Sequence, residues 1–249
     1  MPRFDILSVG VDAVTPEEAL ETAMGFLESG GPCRVLATPN PEMIMLANKD
    51  EGFLKILKNA ELVVPDGAGV VLASRLLRRG IKRRVTGCDL LQALFKKISD
   101  ENTGHTAYLF GAKPGVAEKA AERLSETYPS LRIIGCGHGF QSAAEEAAME
   151  EEITGLAPDV LVIGLSMGMS EKWADSHRHL PVRLMACTGG TIDILAGNVK
   201  RAPVVFQKCG AEWLWRLMKQ PRRAVRMLAL PAFAAKVTAL KIRQMRGRG

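Results

Sequence analysis

Two predicted strands in this chain of 249 residues end in side chains that could hold a polar ligand. The strand Arg34–Thr38 is followed by a proline, Asn40 and a second proline, so a hydroxyl and a carboxamide lie at its end. The strand Leu62–Val64 is followed by a proline and then Asp66, after which comes Gly-Ala-Gly. Ligands of parallel α/β sheets bind beyond the carboxyl ends of strands, and glycines let a ligand approach the backbone. Asp66 equally fits the N-cap of the next helix, a role that is compatible with catalysis.

The ten residues from Arg75 to Arg84 include six Lys and Arg, most of which fit a solvated helix end. Arg84 differs because it precedes a Val-Thr-Gly turn from which its guanidinium could reach the same rim. The sequence has no Asp-x-Asp pair to hold a divalent cation on a diphosphate, and His177 and His179 are too close in sequence to share a helical face. We therefore expect no metal and no cofactor, with arginines binding any diphosphate.

The chain lacks two common nucleotide-binding motifs. Gly67 and Gly69 follow a strand and open a helix, but the third position of the dinucleotide motif is Leu72, which lacks the small side chain that close helix packing needs. A phosphate-binding loop of the form G-x-x-x-x-G-K-[ST] does not occur. The sequence thus disfavours nicotinamide enzymes and P-loop NTPases.

The elements that must position these residues alternate between short apolar runs and helical stretches. Strands are predicted over Asp5–Val11, Arg34–Thr38, Leu62–Val64, Thr106–Phe110, Arg132–Gly135, Val160–Gly164 and Arg183–Cys187. Helices are predicted over Pro16–Ser29, Pro41–Asn59, Gly67–Arg79, Asp89–Ser99, Pro114–Tyr128, Ala143–Gly155, Ser170–His179 and Thr191–Ala196. The expected fold class is α/β, with a Rossmann-like, mostly parallel sheet and helices on both faces.

The chain changes character after Ala196, where a turn rich in charge leads into helices interrupted at Pro221 and Pro231. We predict an α/β core over residues 1–198 and a basic, partly amphipathic helical C-terminal appendage over residues 199–249. Residues 200–249 hold 13 Lys and Arg against Glu212, a net charge of +12, whereas residues 1–199 carry a net charge of −6. This asymmetry directs the appendage to an anionic partner such as phosphate groups, nucleic acid or a lipid surface.

One face of the last helix is apolar. Leu230, Phe233, Val237 and Leu240 recur at steps of three and four residues, as in a basic amphipathic helix at a membrane interface. The alternative is a terminal helix that packs on the core or on another subunit of a homo-oligomer. The apolar run Met227–Ala235 is far shorter than the roughly 20 residues a spanning helix needs.

The five cysteines are scattered without any C-x-x-C, which disfavours a disulfide framework or a zinc site. The N-terminus lacks the charged-then-apolar pattern of a signal peptide. We therefore expect a cytoplasmic protein.

Eight motifs in order resemble the WecG/TagA/CpsF glycosyltransferases (family 26) from about residue 5 to about residue 227. They are Thr38-Pro39-Asn40-Pro41-Glu42, Pro65-Asp66-Gly67-Ala68-Gly69, Arg84-Val85-Thr86-Gly87-Cys88-Asp89-Leu90, Gly111-Ala112-Lys113-Pro114-Gly115, Glu171-Lys172-Trp173, Lys200-Arg201-Ala202-Pro203, Glu212-Trp213-Leu214-Trp215-Arg216-Leu217 and Pro221-Arg222-Arg223.

The resemblance implies an inverting transferase that moves a sugar, in many members N-acetylmannosamine from its UDP donor, onto a polyprenyl-diphosphate-linked amino sugar such as N-acetylglucosamine. Products of the family feed teichoic acid linkage units, enterobacterial common antigen, capsule or exopolysaccharide. The enzyme would be peripheral on the inner face of the cell membrane, with an anionic membrane surface as partner and no nucleic acid.

The resemblance also assigns roles by position. Asp66 would be the general base, and this agrees with its being the only acid that immediately follows a predicted strand in a glycine-rich setting. The substrate-binding residues would be Thr38, Asn40, Arg84, Ser170, Glu171, Arg216, Arg223 and Arg226, with the last three closing over the diphosphate.

The chain departs from the family pattern before Glu171. Gly168 stands where the family usually has Pro, and Ser170 stands where it usually has Gln, whose carboxamide makes a two-ended contact that a hydroxyl cannot make. The alternative to an active enzyme is therefore a non-catalytic relative that binds a sugar nucleotide or a lipid.

Overall fold

The computed structural model describes residues 1–219 and 224–246, except for the side chains of Lys208 and Arg216. In these ranges the strands are β1 (Arg3–Ile6), β2 (Val9–Asp12), β3 (Arg34–Ala37), β4 (Leu62–Val63), β5 (Thr106–Gly111), β6 (Arg132–Gly137), β7 (Val160–Gly164) and β8 (Leu184–Cys187). The helices of the core are α1 (Pro16–Glu28), α2 (Pro41–Ala47), α3 (Glu51–Asn59), α4 (Ala68–Leu76), α5 (Gly87–Asp100), α6 (Val116–Thr127), α7 (Ala143–Leu156), α8 (Met169–Ser176) and α9 (Thr191–Leu195). Those after residue 199 are α10 (Val204–Lys208), α11 (Glu212–Lys219), α12 (Ala224–Met227) and α13 (Ala229–Arg246).

A six-stranded parallel sheet in the order β4-β3-β8-β7-β5-β6 forms the centre of the molecule. Successive residues of each strand point to opposite faces, so each strand supplies two apolar layers. In β7, Leu161 and Ile163 join one buried cluster while Val160 and Val162 join the other. Helices α2, α3, α7 and α8 pack in the first layer and α1, α5, α6 and α9 in the second. The predicted α/β fold class is confirmed.

The predicted single strand Asp5–Val11 is instead the antiparallel hairpin β1–β2, which lies outside the parallel sheet. Leu7 and Ser8 form its two-residue turn with φ of 50° and 71°. A hairpin turn with positive φ at both central positions usually carries Asn or Gly, and Leu-Ser gives no such signal. The single-strand prediction was therefore wrong.

The predicted helix Pro41–Asn59 is divided into α2 and α3. Asn48 ends α2, and Asp50 is the N-cap of α3, where its carboxylate accepts a hydrogen bond of 2.9 Å from the Phe53 backbone. Apolar residues continue at helical spacing through this junction, which is why the sequence pattern suggested one helix.

The helical appendage is confirmed, but the predicted interruption at Pro231 is wrong because this residue lies in the first turn of α13. A proline is tolerated there, since backbone N–H groups in a first turn have no partner within the helix. The interruption predicted at Pro221 lies outside the described residues.

Helix α13 packs on the core through the apolar face that the sequence predicted. Phe233 and Val237 are 4% and 3% exposed and belong to the same buried cluster as α2 and α4. The packing alternative is therefore confirmed, and the prediction that this face lies in a membrane is wrong for these two side chains. Among the described helices, none has both the length and the apolar composition that crossing a bilayer requires.

Candidate active site

A cavity of about 1500 Å³ opens at the carboxyl edge of the parallel sheet. Loops that follow the strands form one side of it, and α11, α12 and α13 contribute the other. The structure brings most of the predicted site residues to this one cavity, namely Thr38, Asn40, Asp66, Arg84, Ser170, Glu171 and Arg226. The other two predicted residues cannot be placed in this way, because Arg223 and the side chain of Arg216 lie outside the described part of the chain.

Backbone contacts hold the loops of the site together. The Asp66 N–H donates to the Pro39 carbonyl at 3.2 Å, and the loop after Arg84 bonds in the same way to the residue before Asp66. A Cβ on Gly87, at the start of α5, would lie 2.9 Å from the Thr38 methyl carbon. Only glycine therefore lets α5 approach the end of β3 so closely, which explains the glycine of the turn after Arg84.

Thr38 and Asn40 are fixed by bonds to the backbone at the end of β3. The buried Thr38 hydroxyl donates to the Cys187 carbonyl at 3.0 Å, which leaves its oxygen able to accept. The Asn40 side-chain oxygen caps α2 by accepting from the Met43 N–H at 3.0 Å. The cap does not use the Asn40 amide nitrogen, which carries two donors. The pair thus presents an acceptor and donors to one edge of the cavity.

Asp66 does not cap α4. The N-cap position is occupied by Gly67, whose φ of 108° is open only to glycine among common residues, and α4 has no side-chain cap. The N-cap alternative for Asp66 is therefore wrong. Its side chain is 29% exposed and one carboxylate oxygen lies 3.7 Å from the Arg84 guanidinium. The arrangement gives a solvent-reachable carboxylate beside a cation.

Arg84 lies between two carboxylates. Its Nη2 bonds to the Glu212 carboxylate, which comes from the first residue of α11, and lies 3.7 Å from Asp66. The Arg84 Nε is buried and has no hydrogen-bond partner among the described residues. The guanidinium is thus anchored on one side and keeps unused donor capacity.

Arg226 of α12 lines the cavity and pairs with a carboxylate of the core. Its Nε lies 3.1 Å from the Glu42 carboxylate in the first turn of α2, and its Nη2 lies 3.3 Å from the Met167 sulfur. The side chain remains 43% exposed. A cation from the appendage therefore lines the cavity and keeps part of its surface exposed.

Gly168 and Ser170 shape the loop between β7 and α8. Gly168 has a φ of 80°, which proline cannot adopt, so the backbone here differs from one with the usual family proline. The buried Ser170 hydroxyl accepts from the Leu165 N–H at 3.1 Å and donates to the Ile163 carbonyl at 3.3 Å. The Ser170 hydroxyl is thus engaged by the chain's own backbone.

Glu171 is a buried carboxyl that lines the cavity in the first turn of α8. Burial raises its pKa to about 7, although backbone N–H groups of α8 oppose the shift. Thr188, which follows β8 and also lines the cavity, has a buried hydroxyl without a hydrogen-bond partner among the described residues. The inner end of the cavity therefore holds a carboxyl poised to change protonation and an unused hydroxyl.

Sequence reasoning missed several groups at the cavity. Thr188 stands after β8 as Thr38 stands after β3, so the same rule would have found it. Glu212 is the only acid among residues 200–249, which was also a readable signal. The bidentate pair of Arg201 with Asp89 had no such signal.

This pair affects the pKa of Asp89. Burial acts to raise that pKa, but hydrogen bonds from Arg201 and a neighbouring threonine lower it below its ordinary value.

One group of side chains outside the cavity could hold a cation. Glu146, Glu150 and His177 offer ligand atoms within 4.8 Å of one another on α7 and at the end of α8. They already pair among themselves and with Trp173, since His177 Nε2 lies 3.0 Å from Glu150 and the indole N–H donates to Glu146 at 2.6 Å. None of the three lines the cavity.

Known proteins of one family match nearly the whole chain. A relative from Bacillus subtilis (strain 168), named N-acetylglucosaminyldiphosphoundecaprenol N-acetyl-beta-D-mannosaminyltransferase, is 32% identical over 208 residues, which is 83% of this chain and 79% of the relative. A relative of the same name from Staphylococcus aureus (strain MRSA252) is 29% identical over 241 residues, covering 96% and 93% of the two chains. Residues 4–247 match the family described as "Glycosyl transferase WecG/TagA/CpsF family". The chain with this arginine-rimmed cavity therefore belongs to the WecG/TagA/CpsF glycosyltransferases.

Proposed function

We propose that this glycosyltransferase moves N-acetylmannosamine or a related hexose from a UDP-sugar to a polyprenyl-diphosphate-linked N-acetylglucosamine, with inversion at the anomeric carbon. The observation that carries the proposal is the Asp66 carboxylate in the cavity with Arg84 beside it at 3.7 Å. Relatives named for transfer of N-acetylmannosamine to a GlcNAc-diphosphoundecaprenol acceptor support the choice of substrates.

The chemical step needs one base and one stabilised leaving group. Asp66 takes the proton of the acceptor hydroxyl as that oxygen forms its bond to the anomeric carbon. The bond from the anomeric carbon to the diphosphate oxygen breaks, and UDP leaves with the electron pair. A single displacement on the face opposite the leaving group inverts the configuration, and it requires only one carboxylate as base.

Arginines supply the positive charge that the departing diphosphate needs. Arg84 lies on the core side of the cavity and Arg226 on the appendage side, each held by one carboxylate of the protein. Arg216 and Arg223 join them in our proposal through their match to the family motifs. The charge is provided by side chains, so we propose transfer without a metal.

Thr38 and Asn40 are proposed to bind the donor sugar, because their acceptor and donor groups point to one edge of the cavity. Glu171 is proposed to contact the substrate from the inner end. We infer that Ser170 contributes by fixing the loop between β7 and α8, since the backbone already engages its hydroxyl.

We propose that the enzyme lies on the inner, cytoplasmic face of the cell membrane, where a polyprenyl acceptor is anchored. The support is a set of exposed apolar side chains on α10, α11 and α12 and directly after α12, namely Val204, Val205, Trp213, Leu214, Met218, Val225 and Leu228. The basic charge of residues 200–249 complements an anionic lipid surface. We propose that these exposed side chains contact the lipid, because the core buries Phe233 and Val237 of α13.

A transfer assay tests the proposed function. The purified chain is mixed with a panel of UDP-sugars and a short-chain lipid-diphosphate-GlcNAc, with and without acceptor. We expect release of UDP that depends on the acceptor and is greatest with UDP-N-acetylmannosamine. Binding of UDP-sugar without acceptor-dependent release would instead indicate a non-catalytic relative, which the changes at Gly168 and Ser170 would then explain.

A further inference from the structure

Glu212 occupies an unusual position for the only acid in a strongly basic segment. It is the first residue of α11, yet it is only 8% exposed. One carboxylate oxygen bonds to the Arg84 guanidinium of the core, and the other lies 3.9 Å from the Arg201 guanidinium. A carboxylate is rarely buried unless it is paired, so these two cations account for its location.

The same interaction decides where the Arg84 guanidinium lies. An arginine side chain has several rotatable bonds, and holding it in one place costs rotamer entropy. Glu212 provides a charge-assisted bond that offsets this cost, whereas Asp66 at 3.7 Å is beyond hydrogen-bond distance. Arg84 is therefore hydrogen-bonded to the appendage, and its ion pair with Asp66 is the longer of the two.

We propose that Glu212 is a positioning residue for sugar transfer, holding Arg84 where it can contact the donor diphosphate and where its ion pair with Asp66 stays at 3.7 Å, beyond hydrogen-bond distance. The proposal rests on the proposed function for the roles of Asp66 and Arg84. A shorter, hydrogen-bonded pair would stabilise ionised Asp66 further and weaken it as a base, because proton affinity falls as a cation approaches. Glu212 partly neutralises that cation and bonds to the same guanidinium nitrogen that lies 3.7 Å from Asp66.

The appendage thereby completes the catalytic site in addition to covering it. Helix α13 is held on the core by Phe233 and Val237, which do not involve Glu212. Loss of the Glu212 carboxylate should therefore disturb Arg84 without detaching the appendage. This separation allows positioning to be distinguished from simple docking.

The first experiment measures the anchoring without any activity. Phenylglyoxal modification of Arg84 is followed by peptide mass spectrometry in the wild type and in Glu212→Gln. We expect the Arg84 modification rate to rise roughly tenfold, since a charge-assisted hydrogen bond is lost. Glu61→Gln is the matched control, because Glu61 pairs with Arg178 at 3.1 Å outside the cavity. An unchanged Arg84 rate in Glu212→Gln overturns the anchoring.

The second experiment measures transfer. We expect Glu212→Gln and Glu212→Asp to lower kcat by ~10- to 100-fold, because a misplaced group costs rate steeply, while Glu61→Gln keeps its kcat. Combined with Arg84→Lys, Glu212→Gln should add no further loss, since Glu212 acts through Arg84. Limited proteolysis should show the appendage still protected in Glu212→Gln.

Three results would contradict the proposal: an unchanged kcat, losses that simply add in the double variant, or an appendage that becomes sensitive to protease. Failure of the proposed function is recognised separately. In that case the wild type shows no acceptor-dependent release of UDP, while the labelling experiment still decides whether Glu212 anchors Arg84.

Discussion

At the scale of single residues, one position along the chain decides between a structural and a chemical role. Gly67, with its φ of 108°, is the N-cap of α4, so Asp66 lies outside the helix and its carboxylate lines the cavity. The sequence left the cap and the base equally open, because Asp before a helix fits both. The backbone conformation at Gly67 rules out the N-cap role of Asp66. Its role as the general base is our proposal.

Replacing Asp66 with Asn should lower kcat by ~10²-fold or more, because the variant cannot accept the acceptor's proton. Asn is nearly isosteric and Asp66 caps no helix, so thermal unfolding should be little changed. Initial rates of UDP release with saturating acceptor measure the effect. Near-normal turnover in a folded variant would remove Asp66 from the chemistry.

Glu171 should make stability fall as pH rises. Its pKa is about 7 in the folded chain against an ordinary value of 4.5, so between these values the folded state holds a proton that the unfolded state releases. The penalty grows through this window to at most about 3 kcal/mol and then levels off.

Glu171→Gln removes this titration, so its stability relative to wild type should increase from pH 5 to pH 8. Urea unfolding at both pH values measures the difference, with Glu122→Gln on the exposed face of α6 as control. A Glu171→Gln effect that is the same at both pH values would show that the carboxyl titrates normally.

At the scale of elements, the pattern of apolar runs was sufficient for the parallel sheet and most helices. It failed where local backbone geometry decides, as at Leu7 and Ser8, whose positive φ values make a hairpin without the usual turn residues. It also failed at Asp50, the N-cap of α3, because apolar residues continue at helical spacing across the junction of α2 and α3. The apolar pattern therefore gave no sign that one helix ends there and another begins. The apolar face of α13 was found, but periodicity cannot tell whether a protein core or a lipid covers it.

Truncating Phe233 tests how α13 is held. Phe233→Ala should destabilise the protein by about 3–5 kcal/mol, the usual cost of removing a buried phenyl ring. Val225→Ala on α12, where the side chain is 78% exposed, should change stability by less than about 0.5 kcal/mol. Urea unfolding distinguishes the two. Equal, small effects would mean that α13 does not pack on the core as the structure shows.

At the scale of the whole molecule, an acidic core and a basic appendage meet at the cavity. The sequence revealed this asymmetry and the residues that follow β3 and β4, because both depend on local order along the chain. It could not pair Arg84 with Glu212 or Arg226 with Glu42, since each pair joins positions more than 120 residues apart. Such contacts depend on how the appendage returns to the core.

The exposed surface of α10 to α12 should bind anionic vesicles. Val225→Asp places a negative charge in this apolar surface and should weaken binding, as should salt, because the screening length falls to about 3 Å at 1 M. Leu156→Asp changes an exposed apolar side chain at the end of α7, away from the cavity, and should bind like wild type. Vesicle sedimentation measures both. Equal binding by the two variants would exclude this surface.

The most direct test of the account is the anomeric configuration of the product formed from an α-linked UDP-N-acetylmannosamine and a short-chain lipid-diphosphate-GlcNAc. With Asp66 as the base of a single displacement, NMR of the product should show the β-linkage, and its formation should match the release of UDP. An α-linked product, or UDP release that does not depend on acceptor, would contradict the account.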